Sequence, residues 1–208
     1  SAASYFLAAA AITPHARCTI DGLGFNALQG DARFVEVLEK MGARADVQAD
    51  RTRLTGPERL RGVDVPLNDM PDMAQTLAAV ALFANGSTVI RDVGNLRVKE
   101  TDRLAALQTE LTKLGARVTV KGDDLRIVPP PENRPAHPDG RPISDQSPVE
   151  IDTYDDHRMA MSMALVGLRC PGVRIKDPAC VGKTYPDFFD DLAALPAGGH
   201  ANAGIGHG

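Results

Sequence analysis

Apolar and polar positions along the chain predict alanine-rich helices that alternate with short strands rich in β-branched residues. In the first part of the chain we expect a helix over residues 4–12, a strand over 17–20 and two further strands over 43–47 and 51–55. The phrase LEKMGAR at residues 38–44 ends a second helix at a glycine, the residue that helices favour just after their last turn. The predicted order is therefore helix, strand, helix, strand, strand.

The same order returns in a second unit. The phrase LTKLGAR at residues 111–117 nearly repeats the earlier one, and its glycine again precedes a β-rich segment. Gly122 and Asp123 predict a hairpin turn between the last two strands. We expect the elements of this unit at residues 72–84 (helix), 87–91 (strand), 117–120 (strand) and 124–128 (strand).

A third unit begins at Asp156 and is incomplete. We expect a helix over residues 157–168, a strand over 173–176 and a helix over 186–195, with no closing strands after them. Residues 129–149 are rich in proline, aspartate and serine and predict a surface loop without a role in chemistry.

The repeat defines the predicted domain organisation. One domain spans residues 1–195, and the Gly, Ala and His tail after it predicts disorder. If the units pack about a pseudo-threefold axis, their helix starts converge on one end of the domain. The units cover about residues 1–68, 69–150 and 151–195, and the tail covers 196–208.

The composition is that of a globular protein, with 208 residues, 43% hydrophobic content and a formal net charge of −4. This charge argues against general binding to nucleic acid or to a membrane surface. The apolar start of the chain meets a polar break instead of a membrane-spanning run, so we expect a buried helix there. Cys18, Cys170 and Cys180 fit neither a disulfide framework nor a zinc spacing, which favours a reduced, cytoplasmic protein without a metal.

A cluster of charge in the phrase NLRVKETDR at residues 95–103 is the main candidate for chemistry. Lys99 and Glu100 lie four and three positions before Arg103, so on a helix all three side chains would project together. A helix start and two cations attract phosphate or carboxylate, and a nearby glutamate could move protons on the bound anion. Taken alone, such a cluster is more often a solvated helix start with a local ion pair.

The repeat strengthens the functional interpretation of this cluster. Lys183 falls at nearly the point of the third unit at which Lys99 falls in the second. Asp72 and Asp156 both stand at the start of the first helix of their units. Convergence of these helix starts predicts a basic anion site with carboxylates at its edge.

Four phrases together resemble successive signatures of the 5-enolpyruvylshikimate-3-phosphate synthase family, and the resemblance runs to about residue 195. It implies an α/β fold of two domains, each with three β-α-β-α-β-β units in a pseudo-threefold arrangement. This chain would be the C-terminal part, with the missing strands supplied by the extreme N-terminus of the full polypeptide. The phrases are MPDMAQT (70–76), NLRVKETDR (95–103), TYDDHRMAM (153–161) and KTYPDFF (183–189).

The resemblance implies an activity as well. In this family the enolpyruvyl group of phosphoenolpyruvate passes to the 5-hydroxyl of shikimate 3-phosphate, and phosphate is released without a metal or an organic cofactor. The missing N-terminal half is then the expected partner, and the isolated chain is expected to be inactive. The herbicide glyphosate, which occupies the phosphoenolpyruvate site in this family, is expected to meet the same cations.

Residue roles follow from the matching motifs. The resemblance makes Asp72 and Glu100 the catalytic acids, with Lys99 as a proton partner. Asn95 matches a contact to shikimate 3-phosphate, and Asp155 departs from the family, in which asparagine is expected. The residues implied in substrate binding are Asn95, Lys99, Arg103, Asp156, His157, Arg158 and Lys183.

Two alternatives remain open from the sequence. The chain could be a non-catalytic module that binds small anions or docks onto a separately made N-terminal half. It could also belong to a related enolpyruvyl transferase that acts on UDP-N-acetylglucosamine.

Overall fold

A computed structural model describes residues 2–25, 30–195 and 200–204. The helices in these ranges are α1 (Ala3–Ile12), α2 (Gly30–Lys40), α3 (Ala74–Ala81), α4 (Arg103–Lys113), α5 (His157–Gly167) and α6 (Phe188–Ala193). The strands are β1 (Arg17–Asp21), β2 (Arg44–Val47), β3 (Arg51–Thr55), β4 (Leu60–Arg61), β5 (Asp64–Pro66), β6 (Ala84–Asn85), β7 (Thr88–Arg91), β8 (Arg117–Lys121), β9 (Asp124–Val128), β10 (Val149–Ile151), β11 (Val173–Ile175) and β12 (His200–Gly204).

The predicted repeat is present in the sheets. One four-stranded sheet has the order β12-β1-β3-β2 and another has the order β5-β7-β9-β8. In each, the second strand pairs in parallel with the first and antiparallel with the third. Among the described residues, the third unit has the parallel pair β10-β11, and the prediction that it is incomplete stays a prediction.

Three helices, α1, α3 and α5, form the centre of the domain and contact one another. Each is buried on all sides, and their many alanines allow the helix backbones to approach closely. A buried hydrogen bond of 3.2 Å between Thr76 Oγ1 and Ser162 Oγ ties α3 to α5. The central helices therefore set the relative positions of the three units, as a pseudo-threefold arrangement requires.

The glycines at the ends of the second helices behave as predicted. Gly42 follows α2 with a φ of 108° and Gly115 follows α4 with a φ of 86°. Residues other than glycine rarely adopt such angles, so these positions end the helices and turn the chain into β2 and β8. Gly122 has a φ of 58° in the predicted hairpin turn.

Several predicted boundaries are wrong. The helix expected over residues 72–84 begins as a 3-10 turn at Pro71–Met73, continues as α3 and ends at Ala81. Proline cannot supply a backbone N–H and suits the first turn of a helix, which accounts for the tight start. The helix expected over 186–195 is shorter, and the strands β4, β5, β6 and β10 were not predicted because two or three residues are too few to show alternation.

The tail also differs from the prediction of disorder over residues 196–208. His200–Gly204 forms β12, which pairs in parallel with β1 from Arg17↔His200 to Asp21↔Gly204. Strand pairing joins backbone groups, so an exposed edge can pair with a Gly- and Ala-rich segment that carries no side-chain pattern. β12 occupies the place beside β1 that β5 occupies beside β7. The other tail residues lie outside the described residues.

Two further predictions concern burial. α1 is buried along its whole length, as expected for the apolar start of the chain. The three cysteines are free thiols, and burial raises the pKa of the Cys18 thiol to about 12. Within the described ranges, every helix is too short or too polar for a membrane-spanning segment.

Candidate functional site

The N-terminal ends of three helices from the second and third units meet in one charged cluster. Asp72 lies in the 3-10 turn that leads into α3, and Arg103 is the first residue of α4. Asp156 is the N-cap of α5 and Arg158 lies in its first turn. Ion pairs join these side chains to one another. The predicted convergence of charged groups from separate units is therefore observed.

Arg103 is the centre of this cluster, and three carboxylates surround it. Its side chain is only 1% exposed, and its Nε donates to Asp156 Oδ2 at 2.7 Å. Its terminal nitrogens donate to Asp72 Oδ1 at 3.2 Å and to Glu100 Oε2 at 2.6 Å. Burial acts to lower the Arg103 pKa, but the hydrogen bond and charge of Asp156 and the charges of Glu100 and Asp72 outweigh it and raise the pKa. The guanidinium is thus held permanently charged.

Asp72 joins two guanidinium groups from different units. Its Oδ1 accepts from Arg103, and its Oδ2 lies 3.0 Å from Arg158 Nη2. The Arg158 side chain is 15% exposed, so it is more accessible than that of Arg103. Asp72 therefore sets the distance between Arg103, whose donors are already used by carboxylates, and Arg158, which is accessible enough to bind a ligand.

Asp156 positions two things: the start of α5 and the side chain of Arg103. Its Oδ1 accepts hydrogen bonds from the backbone N–H groups of Arg158 at 2.8 Å and Met159 at 3.3 Å, the pattern of a helix N-cap. The side chain is fully buried, so these contacts and the Arg103 pair supply its partners. One aspartate thus orders both arginines, by a side-chain bond to one and a backbone bond to the other.

His157 is half-buried beside this cluster. Burial lowers its pKa, and the positive charge of Arg158 lowers it further, while Asp156 and Glu100 act in the opposite direction. The net effect favours the neutral imidazole.

Three predicted substrate-binding residues are exposed at the edges of this region. Asn95 lies in the 3-10 turn Gly94–Val98, Lys99 directly follows that turn, and Lys183 ends the 3-10 segment Pro178–Lys183. In the part of the chain that the structure describes, their side chains make no hydrogen bond or ion pair. The structure does not join them to the Arg103 cluster, and their roles stay predictions.

Lys99 and Glu100 lie just before a helix, as predicted, and not on the helix itself. α4 begins at Arg103, because the Asp102 side chain caps it by accepting from Ala105 N at 3.0 Å. Lys99 and Glu100 therefore lie on the segment before the helix. Glu100 nevertheless reaches Arg103, as its spacing predicted.

Asp155, the departure from the family pattern, is exposed and has a φ of 54°. Asparagine and aspartate tolerate this left-handed region better than most residues, which accounts for either residue at this position. Among the described residues, Arg158 pairs with Asp72 and not with Asp155.

Sequence reasoning missed a second charged network that lies behind the cluster. Glu110 is fully buried on α4 and contacts Lys113, Tyr154 and the backbone of Asp152. Its only signal in the sequence is a glutamate among the apolar positions of α4, next to Leu111. Such a residue normally belongs to a solvated helix face, so the signal is weak.

Comparisons with known proteins agree with the geometry. The family model of EPSP synthase (3-phosphoshikimate 1-carboxyvinyltransferase) matches residues 1–192. The chain is 50% identical to 3-phosphoshikimate 1-carboxyvinyltransferases of Brassica napus, over 94% of this chain and 36% of that relative, and of Nitrosomonas europaea, over 94% and 43%. The chain thus spans less than half the length of these relatives.

Solved structures show the same likeness. EPSP synthase from Acinetobacter baumannii has a TM-score of 0.72 and 28% identity, over 91% of this chain and 44% of that one. The enolpyruvyl transferase NikO from Streptomyces tendae has a TM-score of 0.70 and 25% identity, over 92% and 41%. The sequence matches, the shared fold and the charged cluster lead to one conclusion: this chain belongs to the EPSP synthase family.

Proposed function

We propose that this chain forms one half of an active site that transfers the enolpyruvyl group of phosphoenolpyruvate to the 5-hydroxyl of shikimate 3-phosphate. The observation that carries the proposal is the pairing of Arg103 and Arg158, from different units, with the same carboxylate of Asp72. Through Asp72, the buried Arg103 orders Arg158, whose partly accessible guanidinium suits a phosphate or carboxylate of a small ligand.

Two arginines face three carboxylates in the cluster, and the exposed Lys99 and Lys183 at its edges make the region net positive, which suits an anionic ligand. Arg103 is already saturated by three carboxylates, so its task is to order the site. Arg158 is partly accessible, and the exposed Lys99 and Lys183 would approach the ligand from the edges. An incoming phosphate or carboxylate would compete with Asp72 for Arg158 and release that carboxylate for proton transfer.

The reaction needs one protein side chain to take a proton from the hydroxyl of shikimate 3-phosphate and another to exchange a proton with C3 of phosphoenolpyruvate. The hydroxyl oxygen attacks C2 of phosphoenolpyruvate while C3 gains a proton, which gives a tetrahedral intermediate. Loss of a proton from C3 and cleavage of the C2–O bond to phosphate then restore the double bond. We assign Asp72 to the hydroxyl proton and Glu100 to the C3 proton, with Lys99 as a proton partner. Asn95 would contact shikimate 3-phosphate, and Asp156 and His157 would orient Arg158.

The remaining part of the site would come from polypeptide outside this chain. The chain spans 36% and 43% of two relatives, so the pocket for shikimate 3-phosphate would be completed by the N-terminal half. We infer that the isolated chain lacks turnover. Free thiols on the described cysteines are compatible with a cytoplasmic location, which we also propose.

A complementation assay tests the proposal. The chain is mixed or co-expressed with the N-terminal part of the Nitrosomonas europaea relative, and phosphate release from phosphoenolpyruvate is measured with shikimate 3-phosphate. We expect turnover in the mixture, none from the chain alone, and a loss of about tenfold to a hundredfold in kcat/KM for Arg158→Gln, the range for a charged hydrogen bond. Arg141→Gln removes an exposed ion pair with Asp139 and serves as the matched control.

Other outcomes decide between the alternatives. A co-folded mixture that binds phosphoenolpyruvate without turnover would favour a non-catalytic module. The likeness to NikO shows that the fold occurs in enolpyruvyl transferases other than EPSP synthase, so UDP-N-acetylglucosamine is offered as a second acceptor. Turnover with UDP-N-acetylglucosamine but not with shikimate 3-phosphate would contradict the proposed substrate and identify UDP-N-acetylglucosamine as the acceptor.

A further inference from the structure

The segment that delivers Asp156 to the site has an unusual backbone. It joins β10 to α5, and two consecutive residues in it, Tyr154 and Asp155, have positive φ angles of 57° and 54°. Each such residue is costly for an L-amino acid and persists only where surrounding contacts hold it. The contacts that hold this segment therefore help to place Asp156.

Glu110 supplies those contacts from the buried side of α4. Its Oε1 accepts a hydrogen bond of 2.6 Å from the Tyr154 hydroxyl, and its Oε2 accepts one of 3.1 Å from the backbone N–H of Asp152. Burial and then the bond to Glu110 raise the pKa of Tyr154 to about 12, so the hydroxyl remains a donor. Both oxygens of one buried carboxylate are thus used on the same short segment.

Lysines complete the network around Glu110. Lys113 Nζ lies 2.8 Å from Glu110 Oε2 and 2.8 Å from Asp152 Oδ2, so it neutralises the buried carboxylate. Lys176, which follows β11, lies 2.8 Å from Asp152 Oδ1. The network therefore connects α4 of the second unit with the C-terminal ends of the parallel strands β10 and β11 of the third.

The same helix holds this segment at both of its ends. Arg103, at the start of α4, pairs with Asp156, while Glu110, two turns later, holds Asp152 and Tyr154. We propose that Glu110 is a positioning residue for the anion site, which acts through Tyr154 to fix Asp156. Among the described residues, Glu110 makes no hydrogen bond or ion pair with Arg158 or Arg103, so its effect on a ligand passes through the segment. The identity of the ligand, phosphoenolpyruvate, rests on the proposed function. The positioning of Asp156 by Glu110 does not.

Removal of a single hydroxyl tests the inference with little risk to folding. Tyr154→Phe keeps the ring and the backbone preference and removes only the bond to Glu110. Tyr185→Phe is the matched control, because the Tyr185 hydroxyl donates to Asp191 at the same distance of 2.6 Å on another surface. Because the Glu110 carboxylate is buried and Asp191 is exposed, Tyr154→Phe is expected to lose more global stability than Tyr185→Phe, and denaturant unfolding measures both losses.

Amide hydrogen exchange on the isolated chain measures the positioning step. In Tyr154→Phe we expect the Arg158 and Met159 amides, which donate to Asp156, to exchange about tenfold faster, the factor for ~1.4 kcal/mol. The Ala105 amide, which donates to the Asp102 cap, is the internal reference and should not change. Tyr185→Phe should leave all three rates as in the unaltered chain.

Kinetics in the complemented mixture measure the effect on the ligand. Tyr154→Phe should raise KM for phosphoenolpyruvate about tenfold, with a much smaller change in KM for shikimate 3-phosphate. Equal exchange rates and equal KM values in Tyr154→Phe and Tyr185→Phe would overturn the inference. If the unaltered mixture has no turnover, the proposed function fails, and the exchange rates alone decide whether Glu110 positions Asp156.

Discussion

Arg103 and Asp156 are 53 positions apart in the chain and form a buried ion pair with 2.7 Å between Nε and Oδ2. Their side chains are 1% and 0% exposed. Removing water from two charges costs free energy that the pair only partly recovers, so its contribution lies more in geometry than in stability. It fixes the start of α4 in the second unit against the start of α5 in the third.

Loss of one partner of this pair should be costly. Arg103→Met leaves the buried Asp156 carboxylate without its main cation, and we expect the free energy of unfolding to fall by about 3–5 kcal/mol. Urea unfolding measures the change. Arg33→Met, which removes an exposed ion pair with Asp69, should cost less than about 1 kcal/mol. Equal losses for the two variants would show that the Arg103 pair does not behave as a buried one.

His157 should make stability depend on pH. Its folded pKa lies below the ordinary value of 6.5, because burial and then Arg158 disfavour the charged ring. Between the folded pKa and 6.5 the unfolded chain binds more protons than the folded chain, so the contribution is complete above pH 6.5 and is lost as the pH falls through this window. Unfolding measured across this range should become less pH-dependent in His157→Gln.

An anion at Arg158 should shift the same titration. Neutralising the guanidinium removes part of the cause that lowers the His157 pKa, so added phosphoenolpyruvate should raise it. NMR titration of the ring with and without the ligand gives both values. A folded pKa at or above 6.5 without ligand would contradict the assigned environment.

The elements that the sequence predicted correctly are those whose structure depends on residues close to them in the chain. Runs of alanine, and the glycines at positions 42 and 115, act within one helix, so α1, α3 and the ends of α2 and α4 could be located from neighbouring residues. The motif pattern also placed Asp72, Arg103 and Arg158 at one end of the domain. The observed ion pairs agree with that placement.

What the sequence missed depends on distant contacts. Glu110 bonds to residues 42 and 44 positions away, and its place among the apolar positions of α4 is too weak a signal to separate it from a solvated glutamate. β12 pairs with β1 through backbone groups, for which side-chain patterns carry no information.

The two repeated glycines offer a matched pair of substitutions. Both have positive φ angles, so replacement by alanine should cost about 1–2 kcal/mol from the left-handed backbone alone. A β-carbon at Gly42 would meet its nearest atom at 3.6 Å, whereas one at Gly115 would lie 2.8 Å from the Ala136 carbonyl oxygen. Denaturant unfolding should therefore show a larger loss for Gly115→Ala than for Gly42→Ala. The reverse order would contradict this account of the loop contact.

The free edge of β11 is expected to accept the missing strands of the third unit. β7 has a parallel neighbour on one side and an antiparallel one on the other, while β11 has only β10 among the described residues. An apolar groove of about 500 Å³ is lined by residues of α5, β11 and α6. It includes Leu168, Ile175 and Phe189.

A two-stranded peptide from the N-terminus of a full-length relative should therefore bind this edge and raise the melting temperature of the chain. At a concentration one hundred times its Kd, binding adds about 2.7 kcal/mol, which corresponds to a rise of about 5–10 °C for a domain of this size. The same peptide with a proline in the pairing strand is the control, because proline removes a backbone donor from the ladder. If both peptides leave the melting temperature unchanged, the edge of β11 is not where the missing strands bind.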